Sequence, residues 1–240
     1  MNDARDWSAL LVDQFGFRSD DIELVTDAAA TKTAVLDGVR RLLDGATAGD
    51  VLVFTNSSHG SYVADRDGDE DDALYDETMC PYDVDRNQIL DDELRTLFAT
   101  LADGVRLTVI SDSCHSGSVT RRPGEERRPR MLPPSQLGLD GLSGLSLAAR
   151  ARRRSYPEEQ MREVLVSGCR DREVSYDALI DGDYHGAMSY HAIATIRAAG
   201  PGLTYRELGA RLTPRLEEAG FPQHPQVEGM SQNLDRALFT

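Results

Sequence analysis

Two short apolar runs constrain the fold of this chain more than any other feature. Residues 50–55 (DVLVFT) are almost continuously apolar, which predicts a strand buried on both faces of a parallel sheet, and residues 105–110 (VRLTVI) predict a second strand. Apolar residues recur at helical spacing over residues 3–15, from Thr31 to about Leu43, and over residues 91–101. This alternation of strands and helices predicts an α/β sandwich with a mostly parallel central sheet.

Shorter signals complete the predicted element order. Residues 23–26 and 163–167 are strand candidates, and helices are predicted over about 186–199 and 204–219. Thr204 and Glu207 have the spacing of a capping box at the start of the last helix.

Composition limits the function classes. The chain has 240 residues and a formal charge of −15, which argues against nucleic acid as a partner. It has no apolar run near the roughly 20 residues of a membrane helix and no basic-then-apolar leader, so we expect neither a membrane partner nor secretion. The three cysteines (Cys80, Cys114 and Cys169) are an odd, widely spaced set, which favours a reducing, cytoplasmic compartment. A monomer is expected.

The middle of the chain differs from both ends. Residues 121–160 are rich in Arg, Pro, Gly and Ser with little periodicity, which predicts a linker. The expected division is a catalytic segment at 1–120, this linker, and a segment at 161–240 that belongs to the same domain.

Polar clusters follow both predicted buried strands. The first runs into Asn56-Ser57-Ser58-His59-Gly60, and the second into Ser111-Asp112-Ser113-Cys114-His115-Ser116-Gly117. If the strands are parallel neighbours, His59 and Cys114 face each other beyond the carboxyl edge of the sheet, where an imidazole can activate a thiol. Taken singly, a cysteine after a strand is more often a small buried hydrophobe and a His-Gly pair is more often a turn.

These two clusters resemble the active-site motifs of metacaspases, within the wider group of caspase-like peptidases. The acidic residues between them, the stretch SGCRD at 167–171 and His224-Pro225-Gln226 resemble further parts of the family pattern. The resemblance implies a caspase–hemoglobinase-like three-layer fold and peptide-bond hydrolysis through an acyl-enzyme. It assigns Cys114 as nucleophile, His59 as general base and the N–H groups of Gly60 and Cys114 as oxyanion donors. His115 is then a neighbour of the nucleophile rather than the base.

The resemblance also implies a preference for Arg or Lys before the cut. The matching positions of the acidic pocket are Asp3, Ser57 and Asp112. A pair of carboxylates suits a guanidinium, which they can bind bidentately. Asp112 could instead cap a strand end, and Asp3 could be a helix N-terminal acid.

The resemblance further suggests activating Ca²⁺, with Asp76, Asp91 and Asp92 in the matching positions. Arg121 stands near the place where the family has another aspartate, which argues against the site because a guanidinium offers no oxygen ligand. We expect no organic cofactor.

The family pattern has a buried strand before the residues that match Asn2-Asp3. Its apparent absence points to a start codon upstream or to an impaired copy. The leading hypothesis is an Arg/Lys-directed endopeptidase, and the alternative is a catalytically impaired caspase-like module that acts by protein–protein interaction. A calcium-binding regulatory module is a third hypothesis.

The linker is the predicted self-cleavage substrate because it is arginine-rich and accessible. The alternative is a solvated basic loop that only balances the acidic residues before it. The candidate sites follow Arg121, Arg122, Arg127, Arg128, Arg130, Arg150, Arg152, Arg153 and Arg154. Cys80 and Cys169 are expected to lie away from the His59 cluster.

Overall fold

The computed structural model describes residues 2–64, 75–85, 87–114, 127–137, 161–170 and 173–240. The helices are α1 Asn2–Phe15, α2 Lys32–Leu43, α3 Asp91–Phe98, α4 Ala187–Ala199, α5 Tyr205–Glu218 and α6 Ser231–Leu234. The strands are β1 Val51–Asn56, β2 Gly60–Ala64, β3 Tyr75–Met79, β4 Ile89–Leu90, β5 Arg106–Ser111, β6 Arg127–Pro129, β7 Val164–Ser167, β8 Tyr176–Ile180, β9 Asp183–Gly186 and β10 Gln226–Glu228.

The central sheet has the strand order β1-β5-β7-β10. β1, β5 and β7 run parallel, and β10 pairs antiparallel with β7. Asn56 is the register partner of Ser111, which in turn is opposite Ser167, so the carboxyl ends of the three parallel strands meet at one edge. The predicted mostly parallel α/β sandwich is confirmed, and β7 joins residues from the third predicted segment to the sheet of the first.

Helices cover both faces of this sheet. Successive side chains of β5 point to opposite faces, so each set packs against different helices. Leu107 and Val109 belong to a cluster with Val39 of α2 and Phe98 of α3. Ile110 belongs to the larger core, which α1, α4 and α5 contribute to from the opposite face. Thr108, also on that face, hydrogen-bonds the Tyr205 hydroxyl of α5. The result is three layers, with the sheet in the middle.

Two small sheets stand beside the central one, with the orders β2-β3-β4 and β6-β8-β9. The sequence analysis predicted neither. β8 and β9 form a hairpin around Asp181-Gly182, whose φ angles of +54° and +94° fit a two-residue turn of the type that favours Asp-Gly. That dipeptide was the available sequence signal.

The predicted capping residues of α2 and α5 are confirmed. Thr31 accepts a hydrogen bond from the Ala34 N–H at the start of α2, and Thr204 and Glu207 form the capping box of α5.

The strand predicted at 23–26 is wrong, since these residues adopt no regular structure. β1 is half-buried rather than buried on both faces, because it pairs with a neighbour on one side only, as the edge of the described sheet. No helix among the described residues is long and apolar enough to cross a membrane.

Candidate active site

His59 and Cys114 occupy equivalent positions beyond two neighbouring parallel strands. Each lies three residues past the end of its strand, and those strand ends are register partners. Cys114 is fully buried, whereas His59 is exposed. The topology therefore brings the nucleophile and base of the sequence analysis to the same edge of the sheet.

A buried acidic pocket lies beside Cys114. Asp112 is fully buried and accepts hydrogen bonds from the Ser175 hydroxyl and from the Ser189 N–H, the latter at 2.8 Å. Asp3 is 2 % exposed and accepts from the Gly186 N–H at 3.0 Å to its Oδ1. Helix α1 and the end of β5 thus bring together two carboxylates that are 109 positions apart in the chain.

The side chain of Arg130 fills this pocket. Its Nη2 donates to the Asp3 carboxylate and, at 3.1 Å, to Asp177 Oδ1. Its Nη1 donates to the main-chain oxygen of Asp112 at 2.9 Å and lies 3.8 Å from that residue's Oδ2. With 6 % of its surface exposed, Arg130 is a buried cation held by three carboxylates.

The pocket charges depend on one another. Burial raises the pKa of Asp112 above its ordinary value, and the Arg130 guanidinium opposes that rise. Burial acts to lower the pKa of Arg130, but the Asp112, Asp3 and Asp177 carboxylates outweigh it, so the net shift is upward. A guanidinium in the pocket therefore favours the ionised carboxylates that bind it.

Glycine is required at position 186 on the pocket wall. A Cβ built there would lie 2.7 Å from Arg130 Cζ and closer still to Asp112 Oδ2. Any larger residue would fill the space that the guanidinium uses.

The main chain around Arg130 is also bound as an extended peptide. β6 pairs antiparallel with β8, and the Arg130 N–H donates to the Ser175 oxygen at 2.9 Å. The Arg130 carbonyl oxygen accepts from the Gly60 N–H at 2.9 Å and from the Cys114 N–H at 3.2 Å. These are the two donors that the resemblance assigned to the oxyanion.

The contacts continue past Arg130. The Leu132 N–H donates to the Gly60 oxygen at 2.9 Å, and the Ser61 hydroxyl donates to the Leu132 oxygen at 2.8 Å. Met131 packs in a buried cluster with Cys114, Tyr62 and Cys169. The Arg130–Met131 peptide bond is therefore fixed on both sides, next to the buried thiol.

The thiol of Cys114 is uncharged in this arrangement. Burial raises its pKa to about 12. The thiol donates to the Ser175 carbonyl oxygen across an Sγ–oxygen distance of 3.6 Å. Cys114 is thus shielded from solvent and protonated while the 127–132 segment occupies the site.

The other cysteines lie closer to the site than predicted. The Cys80 N–H donates to the His59 oxygen at 2.9 Å, and Cys169 shares the buried cluster of Cys114. The expectation that Cys80 lies away from the His59 cluster is wrong, because β3 leads back to that cluster. Cys169 lies near Cys114, in the turn after β7. All three thiols are free; burial raises the pKa of Cys80 to about 12 and also raises that of Cys169.

The three carboxylates around Arg130 include only two of the predicted pocket residues. Asp3 and Asp112 are brought together, but the side-chain hydrogen bonds of Arg130 do not reach Ser57, which is half-buried. Asp177 supplies the third carboxylate. Its position soon after the SGCRD stretch at 167–171 was the available signal.

The predicted calcium ligands are arranged differently. Asp91 and Asp92 begin α3, and each lies 2.7 Å from a guanidinium nitrogen of Arg95 on the same helix. Asp76 is buried on β3. Among the described residues, only Asp3, Asp6 and His185 have ligand atoms that all lie within 4.8 Å of one another. Arg95 would compete with any cation for Asp91 Oδ2 and Asp92 Oδ1 as these side chains are arranged. Arg121, His115 and the acidic residues 65–71 lie outside the described residues.

Comparison with known proteins agrees with this geometry. Residues 1–123 match the family described as "Metacaspase, peptidase C14 domain". Metacaspase-1 of Schizosaccharomyces pombe is 33 % identical over 99 % of this chain and 65 % of its own length, and Metacaspase-1 of Pyricularia oryzae is 31 % identical over 95 % and 66 %. The chain therefore spans about two thirds of the length of these relatives.

A solved structure supports the fold independently. The crystal structure of protein GSU0716 from Geobacter sulfurreducens superimposes with a TM-score of 0.73 and 27 % identity, over 99 % of this chain and 88 % of that one. The parallel sheet, the two motif-bearing strand ends and the family match lead to one assignment. The chain belongs to the metacaspases, a family of caspase-like cysteine peptidases.

Proposed function

We propose that this chain is a cysteine endopeptidase that cleaves after arginine, and less well after lysine, with Cys114 as nucleophile and His59 as base. The observation that carries the proposal is the placement of Arg130. Its side chain lies among three carboxylates while its carbonyl oxygen accepts from the N–H groups of Gly60 and Cys114. A peptide bound in this way has its scissile carbonyl polarised where negative charge develops in the transition state.

The proposed reaction follows from these positions. His59 takes the proton of the Cys114 thiol, and the thiolate attacks the carbonyl carbon after the arginine. The Gly60 and Cys114 N–H groups stabilise the oxyanion, the C–N bond breaks, and His59 gives its proton to the leaving amine. Water, deprotonated by His59, then hydrolyses the thioester and returns the free thiol with a new carboxyl terminus.

The pocket explains why arginine is favoured over lysine. The planar guanidinium lets one nitrogen bond Asp3 and Asp177 while the other bonds the main-chain oxygen of Asp112. A lysine ammonium is a single point and cannot reach both sides of the pocket with the same geometry. An aspartate side chain would be repelled by all three carboxylates.

The first substrate proposed is the chain itself, at the Arg130–Met131 bond. Of the nine arginines predicted as self-cleavage sites, Arg127, Arg128 and Arg130 lie among the described residues, and Arg130 is the one in the acidic pocket. The segment is held at high effective concentration because it is part of the same chain. After the cut the two fragments should stay together, because β7 of the second fragment pairs with β5 of the first in the central sheet. The new carboxyl terminus at Arg130 has to leave the pocket before another substrate binds.

The burial of Cys114 favours one alternative. If the 127–132 segment remained uncut, it would hold the thiol protonated and closed to substrates, and the protein would act by binding partners rather than by hydrolysis. The two functions predict opposite results with peptide reporters.

The test is hydrolysis of reporter peptides that end in Arg, Lys or Asp before the reporter group. We expect cleavage in the order Arg, Lys, then none for Asp, complete loss in Cys114→Ala, and a loss of orders of magnitude in His59→Ala. Cys80→Ala and Cys169→Ala remove thiols that take no part in the proposed reaction, so both should keep measurable activity where Cys114→Ala keeps none. Equal loss in all three cysteine variants, or a preference for Asp, would contradict the proposal.

A further inference from the structure

A second arginine of the bound segment has a site of its own. Arg127 begins β6, opposite Ala178 of β8, and stands three residues before Arg130. Its guanidinium carbon lies 4.6 Å from the centre of the Phe221 ring, and its Nη1 donates to the main-chain oxygen of Gly220. Cation–π contact and a charge-assisted hydrogen bond thus meet on one side chain.

The groups that receive Arg127 are held rigidly. Phe221 is 6 % exposed and packs in the main core, and its ring meets His191 edge-on at 5.9 Å between ring centres. The Gly220 N–H bonds the Glu217 oxygen and the Phe221 N–H bonds the Leu216 oxygen, each at 2.8 Å, which is the pairing of a glycine-terminated helix end.

The end of α5 adds a favourable field. Gly220 has φ +78°, so its carbonyl leaves the helix in a direction that other residues adopt with strain. That carbonyl lies just beyond the C-terminal end of a 14-residue helix, where the aligned peptide dipoles favour a cation. The carbonyl and the helix end favour a positive charge, and the ring favours a flat cation that can stack on it.

We infer that Phe221 and the Gly220 carbonyl form a subsite for an arginine four residues before the cut. This inference rests on the proposed function and extends it, because peptides with two arginines in this spacing become the favoured substrates. The intervening Arg128 provides a comparison. Its Cζ lies 4.2 Å from the Tyr184 ring centre, but that ring is 36 % exposed, so solvent screens the contact.

Reporter peptides can separate the two arginines. The series has Arg, Lys, citrulline or Ala at the fourth residue before the cut, with Arg-Pro-Arg following in every peptide. The enzymes are wild-type protein after self-processing is complete, Phe221→Leu, and Tyr184→Leu as the matched aromatic control. For wild type we expect kcat/KM to fall about tenfold from Arg to Ala and nearly as far to citrulline, which keeps the shape but lacks the charge.

The variants locate the effect. Phe221→Leu should reduce the Arg-to-Ala ratio to about twofold while keeping the preference for Arg over Asp at the cut, and Tyr184→Leu should keep the wild-type ratio. Equal rates across the peptide series, or an unchanged ratio in Phe221→Leu, would overturn the subsite. Because the peptide series uses unmodified protein, an unstable variant leaves the test intact. Failure to cleave any arginine peptide would instead refute the proposed function.

Discussion

Two arginines of this protein sit among aspartates, but in very different settings. Arg95 pairs with Asp91 and Asp92 one turn away on α3, and all three side chains are about a quarter or more exposed. Arg130 pairs with Asp3, Asp112 and Asp177, which come from distant parts of the chain, and is almost fully buried. The first cluster stabilises one helix end, whereas the second requires the whole fold.

The difference between the two clusters indicates which of them is a candidate ligand site. An exposed pair at i,i+3 or i,i+4 spacing contributes at most about 1 kcal/mol and implies nothing about ligands. One buried arginine with two buried carboxylates and a third that is partly exposed costs desolvation energy that the fold must offset. A protein that keeps such a pocket beside a reactive thiol has a use for it, and the simplest use is to bind arginine in a substrate.

The largest expected effect is the difference in unfolding free energy between variants that lack Arg130 and variants that lack Arg95. In a Cys114→Ala background, Arg130→Gln should lower the free energy of unfolding by about 3 kcal/mol or more, because it leaves buried carboxylates without their cation. Arg95→Gln in the same background should cost less than about 1 kcal/mol. Urea denaturation measures both, and similar losses would remove the distinction between the clusters.

Neutralising a pocket carboxylate should affect substrates nearly as strongly. Asp112→Asn should lower kcat/KM for arginine peptides about a hundredfold, since one charge of a buried pair is lost. Asp37→Asn removes an aspartate from an exposed pair with Arg40 and should leave the rate unchanged. A rate in Asp112→Asn within twofold of wild type would show that Asp112 does not bind the substrate cation.

More of the fold than of the pocket could be predicted from the sequence. Helices α1, α2 and α5 were predictable because their caps and apolar spacing are local, and β1 and β5 because their apolar runs are. β2, β3 and β6 are short and polar, so no such pattern marks them. The resemblance supplied Asp3 and Asp112, but Asp177 and Gly186 join the site only through the β8–β9 hairpin. That Arg130 is buried, in a segment predicted to be a linker, follows from tertiary contacts alone.

Acid should weaken arginine binding. Burial raises the pKa of Asp112, so as the pH falls this carboxyl is protonated before an ordinary aspartate and loses the charge that attracts the substrate. KM for arginine peptides should therefore rise several-fold between pH 7 and pH 5, and a KM that falls toward acid would contradict this account of the pocket.

Calcium should produce the smallest effect. Arg95 already neutralises Asp91 and Asp92, so we expect wild-type protein to bind Ca²⁺ weakly and to lose little activity in chelator. Arg95→Gln should strengthen Ca²⁺ binding several-fold, because it removes a competing cation. Calorimetric titration compares the two proteins. Tight binding by wild type that Arg95→Gln leaves unchanged would place any calcium site elsewhere.

The most direct test of the central claim is the intact mass of purified protein. If Arg130 is bound as a substrate, the first cut in wild type should follow Arg130 and give fragments 1–130 and 131–240 that co-elute under native conditions. Cys114→Ala should remain whole under the same conditions, and Arg130→Gln should lose this cut. A first cut after any other arginine, the same cut in Cys114→Ala, or no cut in active wild-type protein would contradict the claim that the 127–132 segment lies in the active site as a substrate.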